Sequence, residues 1–326
     1  MTLRWMIPVL ALLAGLTAGA CTARTPGPTP TPTSSGRTPA APVSSQGETR
    51  EGSLTYEGAA RTYRLYVPAN LDSAGAALVV ALHGGGGNAA NLERTVGLNA
   101  LAEREGFLVA YPNGSGRLDE VLLTWNAGNC CGFALDQAVD DVGFLRALVD
   151  ELQTAFPVDR RRIFATGMSN GGMMSYRLAC EAADVFAAVA PVAGALNVED
   201  CEPSQPVSLL AIHGTADQHV AFEGGPPTVK ADPHARVDRS VHYAMTFWAA
   251  RNGCGLEPAA SRSGNVMHEV YPDCSPGLGV ELLAIEGGGH AWPGATRFSP
   301  QGDEPYPDLD ASLAIWEFFQ AHPKPQ

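Results

Sequence analysis

Apolar runs with two different periodicities alternate along the chain. Residues 61–67 alternate between polar and apolar side chains, which is typical of a half-exposed strand. Residues 77–82 are continuously apolar, which is typical of a buried parallel strand. Similar short runs occur at residues 107–111, 163–166, 187–192, 208–212 and 281–285. The pattern therefore predicts a central sheet whose strands are mostly parallel.

Helical periodicity occupies several of the segments between these runs. Asp140 is placed to cap a helix over residues 141–156. The apolar stripe of this helix comprises Val142, Leu145, Val149, Leu152 and Phe156. Residues 239–250 and 310–321 are further predicted helices. Strands that alternate with helices favour α/β architecture with helices on both faces of the sheet, and we predict neither an internal repeat nor a second domain.

The first 50 residues differ in composition from the rest of the chain. Arg4 precedes an apolar run at residues 5–16, which has the length of a signal-peptide core. The A-x-A sequence at residues 18–20 fits ordinary secretion. The same residues before Cys21 resemble a lipoprotein lipobox, although Ala18 stands where such boxes usually carry Leu. Residues 22–45 are rich in Pro, Thr and Ser. We therefore predict a signal peptide at 1–20, a disordered tether at 21–50 and one folded domain at 51–326.

Charge and cysteine content narrow the partners and the compartment. The chain has 34 acidic and 21 basic residues, which argues against nucleic acid as a partner. Of the seven cysteines, Cys21 is a lipidation candidate, and the others form an even set suited to an oxidising compartment. Short sequence separations favour the pairs Cys180–Cys201 and Cys254–Cys274, which leaves Cys130–Cys131. We expect a secreted protein, either free or lipid-anchored at the cell surface.

A G-x-S-x-G motif occupies residues 167–171, with Ser169 at its centre. Residues 162–166 predict an incoming strand and residues 173–179 an outgoing helix, which is the context that a nucleophile elbow requires. In such a tight turn, a side chain at Gly167 or Gly171 would collide with neighbouring backbone. Ser169 is therefore the candidate nucleophile. The N–H of Asn170, at the start of the helix, is a candidate donor to an oxyanion.

A second glycine-rich segment, residues 83–87, directly follows the buried run at 77–82. It resembles the H-G-G-G loop that supplies oxyanion donors in esterases. We expect one N–H donor from Gly84 or Gly85 and the other from Asn170. A G-x-G-x-x-G spacing with a ribose-binding acid cannot be assembled here, so dinucleotide binding is not supported.

A serine nucleophile needs a base, and the base needs an acid to orient it. The run at 208–212 is followed by His-Gly-Thr-Ala-Asp, which ends in Asp217, and the run at 281–285 is followed by three glycines and His290. The order Ser, Asp, His along the chain is that of α/β hydrolases. We therefore predict that Ser169, Asp217 and His290 form a catalytic triad.

The other histidines have weaker claims to a chemical role. His83 and His213 are expected to hydrogen-bond the loops that follow them, and the rest, including His219, are expected at the surface. No metal-ligand spacing such as H-E-x-x-H is present, so we predict no metal site.

Together these motifs resemble the polyhydroxybutyrate depolymerase-like esterases, a group that includes feruloyl and acetylxylan esterases. The resemblance covers residues from about 54 to the C-terminus. Besides the segments above, it rests on residues 111–114, 124–126, 140–144 and 289–294. It implies an α/β-hydrolase fold and hydrolysis of carboxylic esters by Ser169, Asp217 and His290. It also implies that no metal or organic cofactor is needed.

The expected substrate site is open. Only residues 194–207 separate the strand after the elbow from the next one, which is too short for a lid domain. Trp125 and Trp292 are candidates to stack on a sugar or an aromatic acyl group, and the alternative is that both belong to the core. His83 is a further substrate-binding candidate. Residues 219–233 are rich in Gly and Pro and form a candidate rim loop.

Several functions are compatible with this pattern. Extracellular polyhydroxybutyrate depolymerases usually carry an extra polymer-binding domain, which we do not predict here, so feruloyl or acetyl esters of plant polysaccharide are favoured. The alternatives are a polyhydroxyalkanoate depolymerase, an acyltransferase and a non-catalytic surface binding protein. A serine peptidase of the same fold would need a propeller or lid. We expect a monomer whose partner is an ester on a polysaccharide or polyester, with a possible membrane anchor at Cys21.

Overall fold

Ten strands form one sheet in the part of the chain that the structure describes, residues 46–229 and 234–325 of a computed structural model. The strands are β1 (Glu48–Tyr56), β2 (Ala59–Val67), β3 (Ala76–Leu82), β4 (Leu108–Pro112), β5 (Val158–Met168), β6 (Ala188–Val192), β7 (Ser208–Gly214), β8 (Ala259–Ser263), β9 (Val266–Val270) and β10 (Val280–Ile285). The predicted signal peptide, Cys21 and most of the tether lie outside the described residues, and β1 begins ahead of the boundary predicted at residue 51.

The strand order is β1-β2-β4-β3-β5-β6-β7-β10-β9-β8. The six central strands, from β4 to β10, pair in parallel, whereas β1, β2, β9 and β8 pair antiparallel at the two sides. The prediction of a mostly parallel sheet is confirmed. The sequence pattern did not predict β1, β8 and β9. These strands carry no continuous apolar run, because they lie at or near the sheet edges: β8 is exposed throughout, and β1 and β9 are only partly buried.

Helices cover both faces of the sheet. They are α1 (Ala89–Thr95), α2 (Leu98–Glu105), α3 (Gly132–Asp136), α4 (Asp141–Ala155), α5 (Asn170–Glu181), α6 (Val241–Arg251) and α7 (Ala311–Ala321). Alternate residues of β3 enter different cores: Leu78 and Val80 pack with α4, α5 and α6, while Val79 and Ala81 pack with α1, α2 and α7. The continuous apolar sequence of β3 follows from this burial on both faces.

The predicted helix over residues 141–156 is present as α4. Asp140 caps it, since its Oδ1 accepts a hydrogen bond of 2.9 Å from the Gly143 N–H. The two other predicted helices correspond to α6 and α7. Within residues 46–229 and 234–325, no helix is long and apolar enough to cross a membrane.

Disulfide bonds join the three predicted pairs, Cys180–Cys201, Cys254–Cys274 and Cys130–Cys131. The first of them ties the segment between β6 and β7 to α5. That segment, residues 193–207, contains no helix or strand; residues 193–198 are buried, and most of residues 199–206 are exposed. It is a short connection and forms no lid domain.

Candidate active site

Ser169 stands on a sharp turn between β5 and α5. Its backbone has φ 57° and ψ −119°, and its N–H donates to the Val192 carbonyl at 2.8 Å. A Cβ on Gly171 would collide with the carbonyl oxygens of Leu82 and His83. The tight turn therefore requires glycine, and it leaves the Ser169 side chain half-buried at the carboxyl end of the sheet.

Asp217 and His290 meet because β7 and β10 are parallel neighbours whose carboxyl ends lie together. His290 Nδ1 lies 2.7 Å from Asp217 Oδ2. The other carboxylate oxygen of Asp217 accepts hydrogen bonds from the N–H groups of His219 and Val220, at 2.8 and 2.9 Å. With Nδ1–H directed at the carboxylate, His290 keeps its lone pair on Nε2, which is the tautomer of a general base.

The charge of Asp217 is stabilised although the side chain is buried. Burial raises its pKa, while hydrogen bonding from His213 and His290 lowers it, and the net pKa lies well below the usual 3.8. His290 is the closer of the two histidines, at 2.7 Å from Asp217 Oδ2 compared with 3.4 Å for His213 Nε2. The nearer partner of His213 Nε2 is the Val220 carbonyl, at 2.7 Å. Asp217 is therefore an anion over the whole neutral range and can support a positive imidazole.

The glycine loop after β3 runs alongside the elbow. A Cβ built on Gly84 would lie 3.5 Å from Ser169 Cβ, and one on Gly85 would lie 3.6 Å from Asn170 Cβ. Among the described residues, the N–H groups of Gly84 and Gly85 find no hydrogen-bond acceptor. The Asn170 N–H belongs to the first residue of α5, where the helix itself provides no acceptor. Three backbone donors are thus gathered beside Ser169.

His83 holds this loop in place. Its Nε2 accepts a hydrogen bond of 3.0 Å from the Gly114 N–H, so its proton is on Nδ1, which donates to the Gly84 carbonyl at 2.8 Å. Burial lowers the pKa of His83 to about 4. His83 borders the cleft, but it is fully buried and both ring nitrogens are bonded to backbone. It therefore acts on the loop, and the expectation of direct substrate binding needs this correction.

The two predicted stacking residues are core tryptophans. Trp125 is fully buried, and its indole N–H donates to the His83 carbonyl at 2.9 Å. Trp292 is also fully buried, and its indole N–H donates to Ser312 Oγ at 3.1 Å. Neither ring presents a face to the cleft, so the interpretation of both as stacking surfaces is corrected in favour of the alternative.

Ser169 and His290 open into one cleft of about 560 Å³. One wall is formed by the glycine loop with Asn88 and Asn91. The other wall comprises His219, the first residue of the rim loop predicted at 219–233, and a loop after His290 that the sequence did not predict. That second loop contributes Phe298, Ser299, Gln301, Asp303 and Pro305. His219 lies two residues after Asp217, and that proximity was the available signal in the sequence.

The side chain of Asp303 hydrogen-bonds to the turn that carries His290. Its Oδ2 accepts a hydrogen bond of 2.6 Å from the His290 N–H.

In residues 46–229 and 234–325, no group of three or more His, Cys, Asp or Glu side chains is arranged to hold a metal ion. The local carboxylates are instead engaged with histidines and backbone N–H groups.

The tight turn at Ser169 between a strand and a helix, the contact between Asp217 and His290 at neighbouring strand ends, and the mostly parallel sheet place this molecule among the α/β hydrolases. Residues 61–221 match the model of the esterase PHB depolymerase family. Feruloyl esterase C of Emericella nidulans is 32% identical over 274 residues, which are 80% of this chain and 84% of that protein. Feruloyl esterase B of Piromyces equi is 35% identical over 223 residues, which are 66% of this chain and 40% of that protein.

Among solved structures, an acetyl xylan esterase from Aspergillus awamori superposes with a TM-score of 0.57 at 16% identity, covering 83% of this chain and 99% of that one. At this identity the likeness shows the fold alone. The sequence matches show the family: the chain belongs to the esterase PHB depolymerase family, and it is a carboxylic ester hydrolase.

Proposed function

We propose that the protein is a secreted serine esterase that hydrolyses feruloyl or acetyl esters of plant polysaccharide through a triad of Ser169, His290 and Asp217. The observation that carries this proposal is the 2.7 Å contact between His290 Nδ1 and the buried Asp217 Oδ2, because His290 lines the same cleft as Ser169. The two feruloyl esterases found by comparison support the choice of substrate.

The mechanism follows from the hydrogen-bonding groups. His290 Nε2 takes the proton of Ser169 Oγ as the oxygen attacks the ester carbonyl carbon. The N–H groups of Asn170 and of Gly84 or Gly85 bind the oxyanion, and His290 then protonates the leaving alcohol. Water attacks the resulting acyl-enzyme, again with His290 as base, and releases the acid. Asp217 holds the imidazole tautomer and stabilises its protonated form throughout.

An exposed cleft suits an ester that is attached to a bulky carrier. Residues 193–207 form no lid over it, and the rim is built from loops. The description of the matched family favours a second candidate substrate, a hydroxyalkanoate polyester. Three disulfide bonds support export to an oxidising compartment.

The test is a panel of methyl ferulate, acetylated xylan, 4-nitrophenyl acetate and a polyhydroxybutyrate film. It compares the wild type with Ser169→Ala and with Ser263→Ala, an exposed serine of β8. We expect Ser169→Ala to lose at least about 10⁴-fold in kcat/KM, since the triad acts as a unit, and Ser263→Ala to match the wild type. A fluorophosphonate should add mass to the wild type and to Ser263→Ala, but not to Ser169→Ala. Unchanged hydrolysis or labelling in Ser169→Ala would refute the assignment.

A further inference from the structure

A second histidine lies directly beside the proposed catalytic base. The ring of His219 is 4.7 Å from the ring of His290, centroid to centroid, with the two planes inclined by 33°. Both rings line the cleft that contains Ser169. His219 is exposed, as the sequence predicted, and it is also a residue of the cleft wall beside His290.

The backbone of His219 is held firmly. Its N–H donates to Asp217 Oδ1 at 2.8 Å, and its carbonyl accepts a hydrogen bond of 2.6 Å from Arg236 Nη2. By contrast, neither ring nitrogen of His219 has a hydrogen-bond partner among residues 46–229 and 234–325. The backbone of His219 is thus held by hydrogen bonds and its ring packs against His290, while both ring nitrogens remain available to a bound molecule in the cleft.

The protonation state of His219 favours recognition of a hydroxyl group. Burial lowers its pKa, and the neighbouring His290 lowers it further. The ring is therefore neutral around pH 7, with one nitrogen that donates and one that accepts. A hydroxyl group is also both donor and acceptor, so it is a matching partner.

The position beside His290 indicates which half of the ester His219 contacts. The acyl carbon lies at Ser169 and the oxyanion donors, whereas the leaving oxygen must reach His290 Nε2 to receive its proton. A ring packed against His290 is therefore next to the alcohol half. The same wall carries Ser299, Gln301 and Asp303, which add further hydrogen-bonding groups.

We infer that His219 is a specificity residue that binds a hydroxyl group of a sugar-like leaving alcohol, an inference that rests on the proposed triad. The polyhydroxylated alcohol is anchored by its hydroxyl groups, while the acyl half is positioned independently by the elbow and the glycine loop. Simple alkyl esters lack this anchor and gain nothing from His219.

The experiment compares two esters with one acyl group, methyl ferulate and feruloyl arabinose. Both form the same acyl-enzyme, so a contact with the alcohol changes acylation and leaves deacylation common to both. His219→Phe keeps a planar ring against His290 and removes both nitrogens. His219→Gln keeps a donor and an acceptor. The folding of each variant is checked by its thermal midpoint. If the wild type prefers acetyl groups, the same pair is made from acetyl esters.

We expect His219→Phe to lower kcat/KM for the sugar ester about ten-fold, which corresponds to one lost hydrogen bond. The methyl ester should stay within about two-fold, and His219→Gln should recover much of the sugar-ester activity. An equal loss on both esters, or no loss on either, would overturn the inference while the esterase proposal stands. A wild type inactive on every ester would instead refute the proposed function and with it this inference.

Discussion

The buried neutral histidine that holds the glycine loop after β3 makes the free energy of unfolding depend on pH. His83 is 1% exposed and has a pKa of about 4, whereas an ordinary histidine titrates near 6.5. Its two nitrogens bridge Gly114 and Gly84, so the neutral ring with its proton on Nδ1 fits the site. A second proton would convert Nε2 from acceptor to donor and face it against the Gly114 N–H.

The sign of this pH dependence follows from the difference between the numbers of protons that the unfolded and folded states bind. Because the folded pKa lies below the unfolded one, the unfolded chain binds the proton first as pH falls. The contribution of His83 to stability is therefore complete above about pH 6.5 and is lost as pH falls towards 4. The slope approaches about 1.4 kcal/mol per pH unit, so the total loss between these limits is about 3 kcal/mol.

The perturbation is His83→Gln, which supplies a donor and an acceptor but does not titrate. Guanidinium unfolding with the disulfides intact, followed by tryptophan fluorescence, gives the free energy of unfolding of both proteins from pH 8 to pH 4. Above pH 7, the difference between the two free energies of unfolding measures the packing cost of the substitution. Below that pH we expect the wild type to lose about 3 kcal/mol more than the variant. Parallel curves down to pH 4 would refute the neutral, buried state of His83.

Two further predictions use matched pairs of variants. Gly171→Ala should cost about 3 kcal/mol or more of unfolding free energy, because its Cβ meets backbone carbonyls, whereas Gly85→Ala, with its nearest contact at 3.6 Å, should stay within about 1 kcal/mol. Arg61→Met leaves the buried carboxylate of Asp141 without its cation and should cost about 3–5 kcal/mol. Arg146→Met, which removes an exposed ion pair, should cost about 1 kcal/mol or less. Equal losses within either pair would contradict the corresponding argument.

The parts of the site that were predictable from sequence are those fixed by local backbone geometry. Gly167 and Gly171 flank Ser169 because the turn admits no side chain, and that requirement appears in the sequence as a short motif. Asp217 and His290 follow the buried strands β7 and β10, and neighbouring parallel strands bring their carboxyl ends together. The continuous apolar runs of the central strands therefore show in the sequence where the carboxyl end of each strand lies.

The remaining parts depend on packing between distant segments. His219 was correctly placed at the surface, in the candidate rim loop, but no local pattern shows that its ring packs on His290, 71 residues later in the chain. The cleft wall that includes Phe298 and Asp303 comes from a loop without helix or strand, so hydrophobic periodicity carries no signal for it. The edge strand β8 was missed for a related reason, since it is exposed throughout and has no buried face to pattern. β1 has a half-buried face, but only Leu54 and Tyr56 on it are large and apolar.

Trp125 shows how a residue with the wrong predicted role can still be central to the site. Its indole N–H donates to the His83 carbonyl, at the start of the glycine loop. Its backbone N–H donates to Asn170 Oδ1 at 2.7 Å, and its carbonyl accepts from Asn170 Nδ2 at 3.0 Å. One buried residue thus joins the two segments that supply the proposed oxyanion donors. Because oxyanion donors are most effective when they are preorganised, the proposed mechanism gives the buried Trp125 a positioning role, in which it holds these two segments together.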